Sequence, residues 1–371
     1  SDEEREPKEL NEIAWGSVGA DEAHRGKDPR SKQTRAVWGA SRWAGGRPAP
    51  HRFALTGTPV ERSPEDLWSI MHFVAPDEWP AKTAWVERYG LATWNDWGFQ
   101  TFVGLRPETR SELDRYLLPR LIRRPKTAVL PELPPKLAPV RRLVELSGKQ
   151  KKAYEDMRKH LVAQLDDGTL ATANPLAQTQ WLCQFASAYG SVEELPPGIP
   201  GGPPRKRLVL TEPSSKLDAL EEVTDELGDQ QAAIFAESRQ LVELAAARLE
   251  RAGKRVGLVT GEVSQERRKE VVDAFQAGDL QLLLLTLGAG GEGLTLTAAS
   301  VVVFLQRSWS RTKNVQAEDR LHRIGQERPV TIVELVTEGT VDEYTRDVLA
   351  DKSARVEELV HDEETLRAWL R

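Results

Sequence analysis

Residues 282–285 are four consecutive leucines, and glycines follow at Gly288, Gly290, Gly291 and Gly293. An apolar run this short predicts a strand buried on both faces, and the glycines loosen the backbone just beyond it. A second apolar run at 301–305 predicts the next parallel strand. The same alternation is visible upstream. Residues 232–236 read as a strand, 240–251 as a helix closed by Gly253, 255–259 as a strand, and 265–276 as a helix with Ser264 as its cap and Gly278 as its stop. A further strand is expected at 330–336 and helices that brace the fold at 341–370. Regular succession of strand and helix leaves few architectures open, and the expectation is α/β with a doubly wound parallel sheet.

Beyond the second apolar run come Gln316, Arg320 and Arg323. Helical spacing puts the two arginines on one face and Gln316 one turn before them, an arrangement that suits a phosphate chain. Taken alone, the two arginines fit a solvated helix face as well. The glycine stretch 288–293 also matches G-x-G-x-x-G, the dinucleotide fingerprint. That fingerprint wants an acidic residue at the end of the following strand, whereas this strand ends Leu305-Gln306-Arg307, which argues against it.

A second candidate lies near the start. The weakly apolar stretch 13–20 leads into Asp21-Glu22-Ala23-His24, two adjacent carboxylates at the end of an expected strand. Magnesium-dependent phosphoryl chemistry uses such a pair: one carboxylate holds the hydrated metal and the other orients the attacking water. A helix N-terminus also favours acidic residues, so the segment by itself is a modest signal. Five tryptophans, Trp68, Trp79, Trp85, Trp94 and Trp97, crowd the region that follows. Their spacing is irregular, which reads as core packing in preference to base stacking. Helices are expected at 32–43, 149–165 and 176–188, and the proline- and glycine-rich 195–204 reads as a loop or linker.

Together, Gly-Gly-Glu-Gly-Leu-Thr-Leu at 290–296, Gln-Ala-Glu-Asp-Arg-Leu-His-Arg-Ile-Gly-Gln at 316–326, Asp-Glu-Ala-His and Leu55-Thr56-Gly57-Thr58-Pro59 resemble helicase motifs of the Snf-type (SWI/SNF-related) family of helicase superfamily two. The resemblance implies two RecA-like lobes of P-loop-NTPase type with helical protrusions, here a partial first lobe and a complete second one. It implies ATP and Mg2+ as cofactors and double-stranded DNA as the track. By this resemblance Asp21 would hold Mg2+, Glu22 would orient water, and Arg320 and Arg323 would act as arginine fingers. His24, Gly291, Gly293 and Gln316 would bind nucleotide. Thr56, Arg123, Arg124, Lys126, Thr260, Gly261 and Thr286 would contact DNA, the three basic residues as part of a crossover that continues to Leu133-Pro134-Pro135-Lys136. The implied limits are 1–140 for the first lobe, 141–205 for a helical protrusion and linker, 206–345 for the second lobe, and 346–371 for brace helices.

Two departures from the family pattern stand in the same stretch: Trp309 is followed by Ser310-Arg311 where the family shows Trp-Asn-Pro, and Thr295 stands where it favours Asn. The family also carries a P-loop ahead of its paired carboxylates. Within these 371 residues Gly26-Lys27-Asp28, Gly148-Lys149-Gln150 and Gly253-Lys254-Arg255 all lack the following hydroxyl and the upstream glycine. The expectation is therefore a P-loop segment that is missing or separately encoded as a partner, and a chain without turnover by itself. The alternative is a non-catalytic half that binds DNA or protein.

Composition narrows the rest. One cysteine, Cys183, excludes an internal disulfide, and six scattered histidines give no zinc spacing. A net charge of -6 confines any DNA contact to local clusters. No apolar run approaches the length of a membrane span, so no membrane partner is expected, and the expected location is cytoplasmic and DNA-associated.

Overall fold

The computed structural model describes residues 15–359 apart from 29–30, 33, 35–37, 39–48, 61–64, 80, 95–99, 118, 173, 198–204 and 290–292. The chain divides into two compact units: Ser1–Pro125 with Asp351–Arg371, and Lys126–Ala350. The finer limits expected from the sequence, at 140, 205 and 345, stay a proposal about folding units. In the structure the segment 126–140 groups with the second unit, as do both 141–205 and 206–345.

In the first unit, β1 (Ser17–Ala20) pairs in parallel with β2 (His51–Ala54), with Gly19 opposite Phe53. Helices α1 (Glu65–Val74) and α2 (Lys82–Tyr89) follow, then the antiparallel pair β3 (Gly90–Trp94) and β4 (Gln100–Leu105), then α3 (Pro107–Leu117). Trp68, Trp79 and Trp85 are buried in one cluster with Leu67, Met71 and Leu113, so these three rings are packing, as their spacing suggested. The side chain of Trp94 and all of Trp97 lie outside the described residues, as does most of the helix expected at 32–43.

The second unit begins with α4 (Lys126–Val129) and β5 (Val140–Val144). The helix expected at 149–165 is α5 (Gly148–His160), which stops because Leu161 takes a left-handed φ of 58°. The remainder is a hairpin, β6 (Val162–Leu165) and β7 (Gly168–Ala171), turned by Asp166-Asp167. An acidic pair before glycine is a turn signal that the helical reading overrode. The helix expected at 176–188 is shorter, α6 (Pro175–Phe185), opened by an Asn174 cap with proline in its first turn. The loop or linker expected at 195–204, of which 198–204 lie outside the described residues, falls between two antiparallel strands, β8 (Tyr189–Leu195) and β9 (Arg205–Thr211).

From there the alternation read from sequence holds: α7 (Ser215–Glu226), β10 (Ala232–Ala236), α8 (Arg239–Arg251), β11 (Val256–Val259), α9 (Gln265–Ala277), β12 (Leu282–Thr286), β13 (Val301–Phe304), α10 (Arg311–Leu321), β14 (Thr331–Thr337) and α11 (Val341–Leu359). Ser264 Oγ accepts from Arg267 N, and Gly278 closes α9 at a φ of 87°, a conformation cheap only for glycine. Six parallel strands run in the order β11-β12-β10-β13-β14-β5. Alternate strand residues serve opposite cores. Ile234, Leu284 and Val303 meet α7 and α8 on one face, while Phe235, Leu285 and Phe304 meet α9 and α10 on the other. This is the doubly wound α/β, RecA-like arrangement expected, and it explains the unbroken leucine run: both faces of β12 are covered.

Candidate functional site

The first unit assembles the carboxylate pair with the threonine turn. Leu55 N donates to Ala20 O at 2.8 Å and Ala23 N to Leu55 O at 3.0 Å, so the ends of β1 and β2 are stitched together. Asp21 is exposed there, and its Oδ1 accepts the Glu22 backbone N–H at 2.9 Å. Glu22 itself takes a left-handed φ of 50°, which an ordinary side chain adopts at a cost of order 1–3 kcal/mol. A short helical turn, Ala23–Gly26, then brings His24 Nδ1 within 3.1 Å of Thr56 Oγ1 and 3.2 Å of a Glu22 carboxylate oxygen. Thr56 Oγ1 also accepts from Thr58 N at 3.1 Å, and Ser69 Oγ from α1 donates to Gly26 O at 2.8 Å. Sequence reasoning gave Ser69 no role; it holds the far end of the turn.

No cluster of three or more His, Cys, Asp or Glu side chains able to hold a metal is present among the described residues. That is compatible with magnesium, which keeps its waters and takes one or two carboxylates together with substrate phosphates. An exposed Asp21 with one oxygen already oriented by a backbone N–H suits such a ligand.

In the second unit the candidates gather beyond the carboxyl ends of the strands, where such folds place ligands. Thr260 and Gly261 follow β11, and Thr286 ends β12. Both threonines are largely buried, 3% and 8% exposed, and Thr286 Oγ1 accepts from Ala289 N. Gly293 takes a φ of 63°; Gly291 lies outside the described residues.

Helix α10 starts at a Ser310 cap and carries half-buried Gln316 and Arg320, but it ends at Leu321. Arg323 therefore does not share a helical face with Arg320, as the spacing suggested. It sits in the turn that follows, where Gly325 at a φ of 98° reverses the chain. Both residues meet the loop after Gly293: Leu296 N donates to the backbone carbonyl of Arg320 at 2.9 Å, and Arg323 Nη1 donates to Leu294 O at 3.3 Å.

Gln326 is an anchor that motif reading could not distinguish from a ligand. Its buried amide donates to Ala299 O at 2.7 Å and to Leu321 O at 3.2 Å. Of the basic crossover, Arg123 and Arg124 are exposed in the first unit, whereas Lys126 opens the second and pairs with Asp319 at 3.1 Å.

Two histidines at these positions are held below the usual range. Burial is the main cause at His24, with Glu22 opposing it. Burial leads at His322 as well; the Pro134 carbonyl opposes it, and Lys126 and Lys136 add to it. A histidine with a depressed folded value is stabilised in its neutral form. Its contribution is complete above the ordinary value of 6.5 and is lost as pH falls from there toward the folded value. The thermal midpoint is expected to fall between about pH 7.5 and about pH 5.5, and His322→Gln to shrink that fall. A midpoint that is flat across this window in the unmodified chain would contradict both assignments.

Comparison with known proteins places this geometry in a family. Residues 4–184 match the SNF2-related domain and residues 215–325 the helicase conserved C-terminal domain. The Bacillus subtilis protein YwqA, whose name describes an ATP-dependent helicase/translocase, is 29% identical over 96% of this chain and 37% of its own length. The mouse SWI/SNF-related matrix-associated actin-dependent regulator of chromatin subfamily A member 1 is 28% identical over 91% of this chain and 31% of its own. The chain thus spans about a third of the length of these curated relatives. A crystal structure of the C-terminal part of the Fun30 ATPase domain covers 64% of this chain and 98% of its own, at 18% identity and a TM-score of 0.46. With both matches running in order along the chain, it belongs to the SNF2-related family of helicase superfamily two.

Proposed function

We propose that this chain is the carboxyl-terminal portion of an ATP-dependent motor that moves along double-stranded DNA, with its phosphate cradle in a P-loop segment outside these 371 residues. The observation that carries the reading is the 3.1 Å contact of His24 with Thr56. It couples the turn bearing Asp21 and Glu22 to the end of the neighbouring strand, so a change at the carboxylates is felt at the threonine turn. In this reading Asp21 holds Mg2+, Glu22 orients the attacking water, and His24, Gly291, Gly293 and Gln316 line the nucleotide. Arg320 and Arg323 stabilise the charge that develops on the transferred phosphoryl group. ATP when bound supplies the driving reaction; the chain's part is to orient groups around it. Thr56, Arg123, Arg124 and Gly261 face the DNA, while the buried Thr260 and Thr286, expected from the resemblance to touch it, instead support the turns beside it, and the protein is DNA-associated. No described helix is long and apolar enough to cross a membrane.

A second reading, a non-catalytic half that only binds DNA or protein, is favoured by the lack of a P-loop within the 371 residues. One experiment addresses both. The purified chain with duplex DNA is expected to hydrolyse ATP at background rate; DNA-stimulated turnover that Glu22→Gln abolishes would overturn the external cradle. Adding a P-loop segment is expected to restore turnover, and failure to do so favours the second reading. Duplex affinity should fall steeply with salt, and Arg123→Ala with Arg124→Ala should flatten the slope, because phosphate contacts release counterions.

A further inference from the structure

Segment 126–137 runs along the end of α10. Val330 N donates to Pro135 O at 3.0 Å and Leu137 N to Val330 O at 2.9 Å, a parallel bridge that fixes the segment beside the start of β14. Side chains then grip the last turn of α10. Lys126 Nζ donates to His322 O at 2.8 Å and pairs with Asp319 at 3.1 Å. Lys136 Nζ lies 2.9 Å from a Glu318 oxygen and 3.3 Å from Asp319. His322 Nε2 and Pro134 O are 2.8 Å apart, so the ring nitrogen donates to the carbonyl. On the other side of Glu318, Arg307 donates to its second carboxylate oxygen at 2.9 Å.

The reason for so much charge is the helix itself. Ala317 and Leu321 of α10 enter the apolar core, and Glu318 and Asp319 between them carry the charge that the two lysines meet. The carboxyl end of a helix also leaves carbonyls without intrahelical donors and carries negative partial charge, and a lysine there meets both needs. That end is the one that carries Arg320, with Arg323 two residues beyond it.

We propose that 126–137 is a strap whose Lys126 and Lys136 are positioning residues, fixing the end of α10 and with it the loop that bears Arg323. The proposal rests on the reading of Arg320 and Arg323 given above. It assigns the Lys126 charge to Asp319 and the His322 carbonyl, in place of a DNA phosphate.

The test uses the full chain with Lys126→Met, Lys136→Met and Lys136→Arg. Amide hydrogen exchange of 320–326 is compared with that of β12 and β13, and duplex DNA binding is followed across salt. Both Met variants are expected to speed exchange at 320–326 by about tenfold or more while the strands stay protected, as when a charge-assisted bond to a partly buried group is lost. Lys136→Arg is expected to restore protection. Lys126→Met is expected to keep the salt slope of the unmodified chain, while Arg124→Ala flattens it. Unchanged exchange at 320–326, acceleration spread equally over the sheet, or a flattened slope in Lys126→Met would each overturn the strap. Failure of the unmodified chain to bind duplex DNA would count against the proposed function, and the exchange measurement would still decide the strap.

Discussion

Arg323→Lys, in the chain supplied with a P-loop segment, is expected to lower turnover by on the order of a hundredfold or more, part of the thousandfold or more that an arginine finger contributes. ATP affinity should stay within about threefold, since the contact is made mainly to charge that develops in the transition state. The planar guanidinium fork is the reason: it offers paired donors to a phosphate, where lysine offers a point charge. The side chain is exposed, and its contact in this structure is to Leu294 O, so the thermal stability of the variant should stay within about 0.5 kcal/mol of the unmodified chain. Single-turnover rates and nucleotide titration together read the split. Equal losses in rate and affinity, or a second unit that unfolds, would make Arg323 a structural residue.

Lys216→Ala should have the largest effect on stability, a loss of about 3–5 kcal/mol. Lys216 is only 1% exposed on α7, and its Nζ donates to Leu305 O at 2.7 Å and pairs with Asp342 at 2.5 Å. Truncation strands the carbonyl at the end of β13 and removes the counter-charge of a carboxylate that also accepts from Thr337 N. Lys216→Met with Asp342→Asn should cost less than half as much, because no charge is then left buried alone. Denaturant midpoints of the two variants measure the difference, and equal losses would mean that the hydrogen bond to Leu305 O, absent from both, and not the stranded carboxylate, is what matters.

The second sheet was legible because its signals are local and repeated. Short apolar runs at 232–236, 282–285 and 301–305, serine caps and glycine stops each depend on a few neighbouring residues. Reading failed where a local signal competed with a stronger one. The helical pattern of α5 ran past Leu161 into β6 because helix-compatible residues continue, and only the acidic pair at 166–167 betrayed the turn. The strands β8 and β9 escaped notice because their pairing partner is across a proline- and glycine-rich connection, and pairing is not a property of either strand alone.

The candidate site divides in the same way. Residue types and spacing pointed to the α/β class, whereas the roles expected of Asp21, Glu22, Arg320 and Arg323 came from the family resemblance. Tertiary structure decided what those residues touch. It bonded His24 to Thr56 across 32 positions, and it placed Arg323 in a turn beyond α10 beside Leu294. It drew Lys126 onto the carbonyl of His322, 196 positions away. The physical reason is range. Periodicity, caps and glycine conformations are fixed within a turn or two of chain, whereas a hydrogen bond between distant residues exists only once the sheet has set the distance between them.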